Sequence, residues 1–370
     1  MSLDERTTTT STPPADGAFA GAARAQHYRE PAAPEPERID EPAPAAEQGT
    51  PPRPAHTDGL GADLGRIATH TAPPAAARGW RGHLSKLGLH VPPSNAETQA
   101  ALAAEQRNEN ERVIRQTTWT RAVSILVANP KGGVGKTPTA LILGGVLAAI
   151  RGGSVCVMEV SDDAGALTFR SEGTPNLGIG ELVRDAAGVR SAGQLAGYTA
   201  PQTSFAAVLG TVGTRDQLTA HDVFALSVLV DDYYAIRIMD SGNQPSSSAF
   251  HGALETADLL VIPVLNAGDA ALEALGLIAK LRATGGKAAR IADRAIILRA
   301  SDGRPENPNV IDKVDQAFAE AGITDIHTIP YDPHIAERGE ITLDHLGPAT
   351  RDAFTAAAAA AIRSLQTTAR

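Results

Sequence analysis

Cysteine is almost absent: Cys156 stands alone among 370 residues. One thiol forms no intrachain disulfide and no chelating pair, which favours a reducing compartment, and its apolar surroundings predict a small buried core residue. Aromatic residues make up only 4% of the chain. No stretch approaches the roughly 18 uninterrupted apolar residues of a membrane-spanning helix, and the acidic, polar first 30 residues hold no apolar signal core. Positive charge is not in excess either. The formal net charge is −9, so no global field draws the molecule to nucleic acid or anionic lipid, and any such binding must be local. These absences predict a soluble, cytoplasmic protein without an integral membrane segment.

Large apolar residues are scarce from Met1 to about Arg78, where 12 of the 25 prolines fall within the first 75 positions. A segment of Ala, Pro, Thr, Glu and Asp cannot bury enough surface to offset its ordering entropy and is expected to be disordered, either as a solvated tether or as a tail that orders on a protein partner. Residues 79–118 read as a second region. Trp80, Leu84, Leu87, Leu89 and Val91 form a short apolar cluster before Pro92-Pro93. Ser94 can then cap a helix from about Asn95 to Gln116, polar on most faces, which lies on the surface or mediates assembly.

Residues 119–370 carry an apolar core. Strand-like runs (Ala122 to Ala128, Ser154 to Val160, Ser204 to Thr211, Tyr234 to Asp240, Asp258 to Val264, Arg294 to Arg299, Thr324 to Pro330) alternate with helical ones, ending in an Ala-rich helix from Thr350 to Leu365. Such alternation predicts an α/β fold with a doubly wound, mostly parallel sheet covered by helices on both faces. Ligands in such sheets sit at the carboxyl ends of the strands.

One stretch gives that edge its chemistry: Asn129-Pro130-Lys131-Gly132-Gly133-Val134-Gly135-Lys136-Thr137-Pro138-Thr139 lies between the first strand and an amphipathic helix. Glycines let successive amides of the loop, Gly132, Gly133, Val134 and Gly135 included, turn toward an anion, and the helix adds its positive end. Lys136 would reach the β- and γ-phosphates and Thr137 would ligate Mg²⁺. Pro138 falls in the first helical turn, where a missing N–H is tolerated. The general G-x-x-x-x-G-K-[ST] pattern needs glycine where Pro130 stands, so the loop is a deviant one with an additional lysine, Lys131. Asp240, at the carboxyl end of its strand, is placed for the Mg²⁺ shell, and Ser241-Gly242-Asn243-Gln244-Pro245 for sensing the γ-phosphate.

The KGGVGKT signature resembles the deviant P-loop of the ParA/MinD family of dimerising ATPases. The resemblance extends from about Ser124 to Leu365 through ETADLLVIPVLNAGDAALEALGLIAKL and IPYDPHIAERGEITLDHLGPATRDAF. It implies ATP and Mg²⁺ as cofactors, a homodimer on ATP binding in which Lys131 reaches the partner's nucleotide, and slow hydrolysis serving partition or spatial positioning of DNA or a protein complex. It also implies that backbone near Pro330, Tyr331 and Asp332 cradles the base.

Two departures bear on function. The family's D-x-D-P-Q is replaced by Glu159-Val160-Ser161-Asp162-Asp163, so Ser161 stands where an aspartate orients the attacking water. Serine is no general base, and Asp162 or Asp163 would serve if the loop shifts by one or two residues. Gly242 and Asn243 replace the usual proline pair after Asp240. A non-hydrolysing, ATP-dependent scaffold is therefore an alternative. The GWR element, linker and helix ahead of the ATPase are similar to the type VII secretion-associated, EspI-like branch of MinD-like proteins, which implies a secretion regulator with a partner on the tail. Iron-protein reductases need cluster cysteines and capsular kinases a tyrosine-rich tail, and this chain has neither.

Lys280, Arg282, Lys287, Arg290 and Arg294 form a basic cluster. In ParA proteins such residues bind duplex DNA without sequence preference, and a solvated helix end explains the cluster equally well. The closing helix is only weakly amphipathic, which favours packing against the core over membrane insertion. Nucleoid or membrane periphery are the two surfaces a cytoplasmic switch of this kind would visit.

Overall fold

A computed structural model describes residues 94–368. The tail over 1–78 and the apolar cluster around Trp80 lie outside the described residues.

In chain order the elements are α1 (Asn95–Gln116), β1 (Val123–Val127), α2 (Lys136–Arg151), β2 (Val155–Val160), α3 (Leu167–Arg170), α4 (Ile179–Asp185), α5 (Ala192–Ala196), β3 (Ala200–Pro201), β4 (Ala207–Leu209), α6 (Ala220–Asp231) and β5 (Ile236–Ser241). There follow α7 (Ser248–Thr256), β6 (Leu259–Leu265), α8 (Gly268–Thr284), α9 (Gly286–Asp293), β7 (Ile296–Ala300), α10 (Pro308–Glu320), β8 (Ile326–Ile329), α11 (Pro333–Ala336) and α12 (Pro348–Thr368). The expected alternation is present. Four short helices (α3, α5, α9 and α11) and the small strand β3 are additions to it.

Eight strands form one sheet in the order β3-β4-β2-β5-β1-β6-β7-β8. All neighbours are parallel except the β3–β4 edge pair. Central strands are buried on both faces, which is why they read as continuous apolar runs. One face carries α6 to α10, with Phe250, Leu277 and Phe318 in its core. The other carries α2 and α12, with Ile142, Leu147 and Phe354.

Polar α1 lies on that second face. Its Ser94 and Glu97 form a capping box. Ile114 is its buried anchor, Arg107 forms an ion pair with Asp352, and Arg363 donates to Asn110.

Register places the functional edge. Val127, the last residue of β1, pairs with Asp240, and Asp240 pairs with Glu159 on its other side. The P-loop, Asp240 and the loop after β2 therefore leave the sheet side by side.

Small residues let α2 lie close to the strands below it. A side-chain carbon at Gly144 would stand 2.4 Å from Val157 Cγ2, and one at Gly145 would stand 3.1 Å from Leu343. Contact with a stiff, buried valine outweighs the ~1 kcal/mol that alanine gains over glycine in a helix. Gly144→Ala is therefore expected to lower the urea midpoint, and Val157→Ala in the same chain to recover part of the loss.

Candidate functional site

The P-loop turns on two glycines in left-handed backbone, Gly133 at φ 77° and Gly135 at φ 93°, where side chains are strained. Gly135 is the N-cap of α2 and makes no side-chain cap, so the first amides of the helix are free for a ligand. Asn129 braces the turn, accepting from the Lys131 amide at 2.9 Å and donating to the Pro263 carbonyl at 2.9 Å.

Lys136 is buried, and its ammonium is held by two loops at once: the Lys131 carbonyl at 3.1 Å and Asn243 Oδ1 at 2.5 Å. Burial pushes its pKa below the ordinary lysine value, and the Asp240 charge works against that shift. Thr137 Oγ1 donates to Asp240 Oδ2 at 2.7 Å. Asp240 Oδ1 is buried without a hydrogen-bond partner. Burial raises the Asp240 pKa to about 7; the Thr137 hydrogen bond and Lys136 lower it, and the neighbouring Glu159 charge raises it. A hydroxyl and an orphaned carboxylate oxygen beside a ring of free amides fit a Mg²⁺ ion bound together with phosphate, with Thr137 and Asp240 as the protein's contribution.

Glu159 has a different part. It is buried and forms an ion pair with Arg215 at 2.8 Å, while also accepting from Thr211 Oγ1 at 2.5 Å and the Gly165 amide at 3.0 Å. Arg215 goes on to the carbonyls of Ser161, Asp162 and Asp163 at 2.8, 2.6 and 2.8 Å. One guanidinium thus holds the whole loop after β2. Within it Ser161 lines the central cavity, whereas Asp162 and Asp163 do not. The Asp163 carboxylate accepts from Gln217 at 3.0 Å. Gly242 packs over the same loop: a side-chain carbon there would lie 3.2 Å from Ser161 Cβ.

Of the other expected residues, Gly133, Val134, Gly135, Lys136, Thr137, Pro138, Pro330, Tyr331 and Asp332 line one cavity of about 860 Å³, in the range of small-molecule sites. Gly132 approaches Asn243 instead. Lys131 is half-buried and lies outside that cavity, its Nζ 2.7 Å from Asp269 Oδ2. The half-exposed Tyr331 ring lies against Gly303, where any side chain would collide with it. Asp332 is buried, and both carboxylate oxygens are taken, by the amides of His334 and Gly347. It shapes the loop, so only its backbone remains for a base.

Phe169, Arg170, Arg304 and Arg338 also line the cavity and were not legible as site residues. Phe169 and Arg170 come from α3, Arg304 from the loop after β7 and Arg338 from the segment after α11, and the tertiary fold brings them to the P-loop. In the basic cluster, Lys287 donates to the Glu255 carbonyl and Arg282 binds Asp293 and the Ala321 carbonyl. Lys280, Arg290 and Arg294 remain exposed. Among the described residues no helix is long and apolar enough to cross a membrane.

The folded, metal-free protein keeps a proton on Asp240 between the ordinary carboxylate value and about pH 7, where the unfolded chain has lost it. Stability of the metal-free protein therefore falls as pH rises through that window, by up to a few kcal/mol. Asp240→Asn is expected to remove this part of the slope, to stabilise the metal-free protein above neutrality, and to abolish any Mg²⁺-dependent rise in melting temperature. Urea and thermal denaturation on either side of neutrality, with and without Mg²⁺, measure all three.

Comparisons with known proteins agree with this geometry. The family model described as the CobQ/CobB/MinD/ParA nucleotide binding domain matches residues 125–342. A ParA family ATPase from Chlorobium tepidum TLS is similar in structure at 15% identity, covering 64% of this chain and 98% of that one, with a TM-score of 0.53. The MinD cell division protein of Aquifex aeolicus gives 19% identity, 66% and 97% coverage and a TM-score of 0.47. An ATP complex of McdA from Cyanothece gives 16%, 66% and 97%, and 0.46. At such identities the likeness is one of fold. No curated protein matches the sequence. The family model spans more than half of the chain and covers the P-loop, Asp240 and the Tyr331 loop, and the chain belongs to the CobQ/CobB/MinD/ParA nucleotide-binding family.

Proposed function

We propose that the protein is an ATP- and Mg²⁺-binding switch that dimerises around nucleotide, hydrolyses it slowly, and acts in partition or spatial positioning of DNA or a protein complex. The observation that carries the reading is the Lys136 ammonium, bound at once to the P-loop through the Lys131 carbonyl and to the loop after β5 through Asn243. Phosphate oxygens are stronger acceptors for an ammonium than either group. An arriving polyphosphate therefore takes Lys136 from both and frees two loops in one step. Lys131, held outside the cavity by one exposed ion pair with Asp269, is then available to a second copy's nucleotide.

A scaffold that binds ATP without hydrolysing it is the second reading. It is favoured by Asp163 on Gln217 and by the Arg215 contacts to the loop's carbonyls, which leave Ser161 nearest the phosphates. Hydrolysis requires that loop to move. The exposed Lys280, Arg290 and Arg294 support duplex DNA as the surface, through a phosphate-directed, salt-sensitive contact. The secretion-regulator reading concerns a partner of the tail, which is outside the described residues.

Calorimetry and light scattering test the switch. Lys136→Ala is expected to lose ATP binding, and Asn243→Ala to bind ATP several-fold more tightly because the competing acceptor is gone. Lys131→Ala is expected to keep nucleotide binding and to remain monomeric with ATP; an unchanged dimer mass would remove Lys131 from the interface.

Phosphate release separates the two readings. A switch hydrolyses ATP at a rate above that of Lys136→Ala, and Arg215→Ala, by loosening the loop, changes that rate. Equal rates for wild type and Lys136→Ala in the presence of duplex DNA would favour the scaffold.

A further inference from the structure

The cavity carries more positive charge than its P-loop end accounts for, and the surplus is gathered in one place. Arg170, the last residue of α3, is 9% exposed. Its Nη2 lies 3.4 Å from the Ile335 carbonyl, and its Nε is buried with no hydrogen-bond partner. The Ile341 amide donates to the Arg170 carbonyl at 2.8 Å and fixes this backbone to the segment after α11. Arg338 lies in that segment, exposed, in left-handed backbone at φ 58°, with its amide on the same Ile335 carbonyl at 3.3 Å. Both arginines line the nucleotide cavity.

Of the other cations at this edge, Arg304 pairs with Asp302, Arg215 with Glu159 and Lys131 with Asp269, while Lys136 rests on the Lys131 carbonyl and Asn243. Among the described residues neither Arg170 nor Arg338 forms an ion pair with a carboxylate. Burial first, and then the Arg338 charge, push the Arg170 guanidinium below its ordinary value. Two like charges held together without a counter-ion raise the energy of the empty state, and an anion between them removes that cost.

The sequence leaves such an anion short of a donor. Pro138 is the third residue of α2 and lines the same cavity, yet it has no N–H where the first turn of a helix otherwise offers one. Lys136, Thr137 and the loop amides serve the terminal phosphates. On the nucleotide reading, the donor missing at Pro138 is then one for the phosphate next to the sugar.

We propose that Arg170 and Arg338 together bind the sugar-proximal phosphate of the nucleotide in the P-loop, supplying the contact that Pro138 lacks. Guanidinium forks suit a phosphate's paired oxygens. This assignment rests on the nucleotide reading above and adds to it two ligands from outside the P-loop.

Displacement of a fluorescent ATP analogue from the full chain by ATP, ADP, AMP and adenosine tests it. Arg338→Ala is expected to weaken ATP, ADP and AMP alike by about tenfold, the loss of one charged hydrogen-bonding partner, and to leave adenosine unchanged. Arg170→Lys keeps the charge without the fork and is expected to fall between Arg338→Ala and wild type. The melting temperature without ligand should be equal or higher in Arg338→Ala, because a repulsion is relieved, whereas a merely structural arginine would lower it. Unchanged ATP, ADP and AMP affinities in both variants would overturn the assignment while leaving the nucleotide reading intact, and so would an equal loss for adenosine. A wild-type chain that binds none of the four would overturn the nucleotide reading itself, and this assignment with it.

Discussion

Two carboxylates, Glu159 and Asp240, end neighbouring parallel strands in direct register, and the site is built on how their charges are divided. Buried like charges at that spacing cannot both stay ionised unless each finds a cation. Arg215 settles the first, and with its remaining donors ties down the loop that follows. The second is left with one bond from Thr137 and one bare oxygen. Asp240 is thereby the acidic group at this edge with a carboxylate oxygen left unpaired.

The same division explains why a departure from the family pattern at residues 159–163 is tolerated. A glutamate in place of the first aspartate is one methylene longer, and that reach takes it to Arg215 and Thr211 across the strand end. The loop after β2 is held by its carbonyls. The Arg215 contacts are what would have to break for that loop to change its shape.

Much of this was legible in the sequence. The P-loop, Asp240 and the helix Asn95–Gln116 each carry a local signal: glycines before a lysine, an acid closing an apolar run, a serine three residues before a glutamate. Residues that act across the fold carried none. Arg170 and Arg338 are ordinary in their own segments, and only the closeness of α3 and α11 above α2 gives them meaning. Helix α9 opens on Gly286, a residue that carries no helix signal of its own. Asp332 lines the cavity, and its carboxylate faces the His334 and Gly347 amides because it is the N-cap of α11.

The long polar helix ahead of the sheet has a mechanical consequence. Helix α1 spans about 33 Å at 1.5 Å per residue, and its carboxyl end is gripped by Arg151, which donates to the carbonyls of Ile114 and Thr117 from the last turn of the nucleotide helix. A load applied ahead of Ser94 therefore travels down a stiff rod to the end of α2 remote from the phosphates. The rod also runs along α12 through Arg107 and Arg363. A pull on Ser94 is thus shared between α12 and the tail of the nucleotide helix, the two helices that cover this face of the sheet.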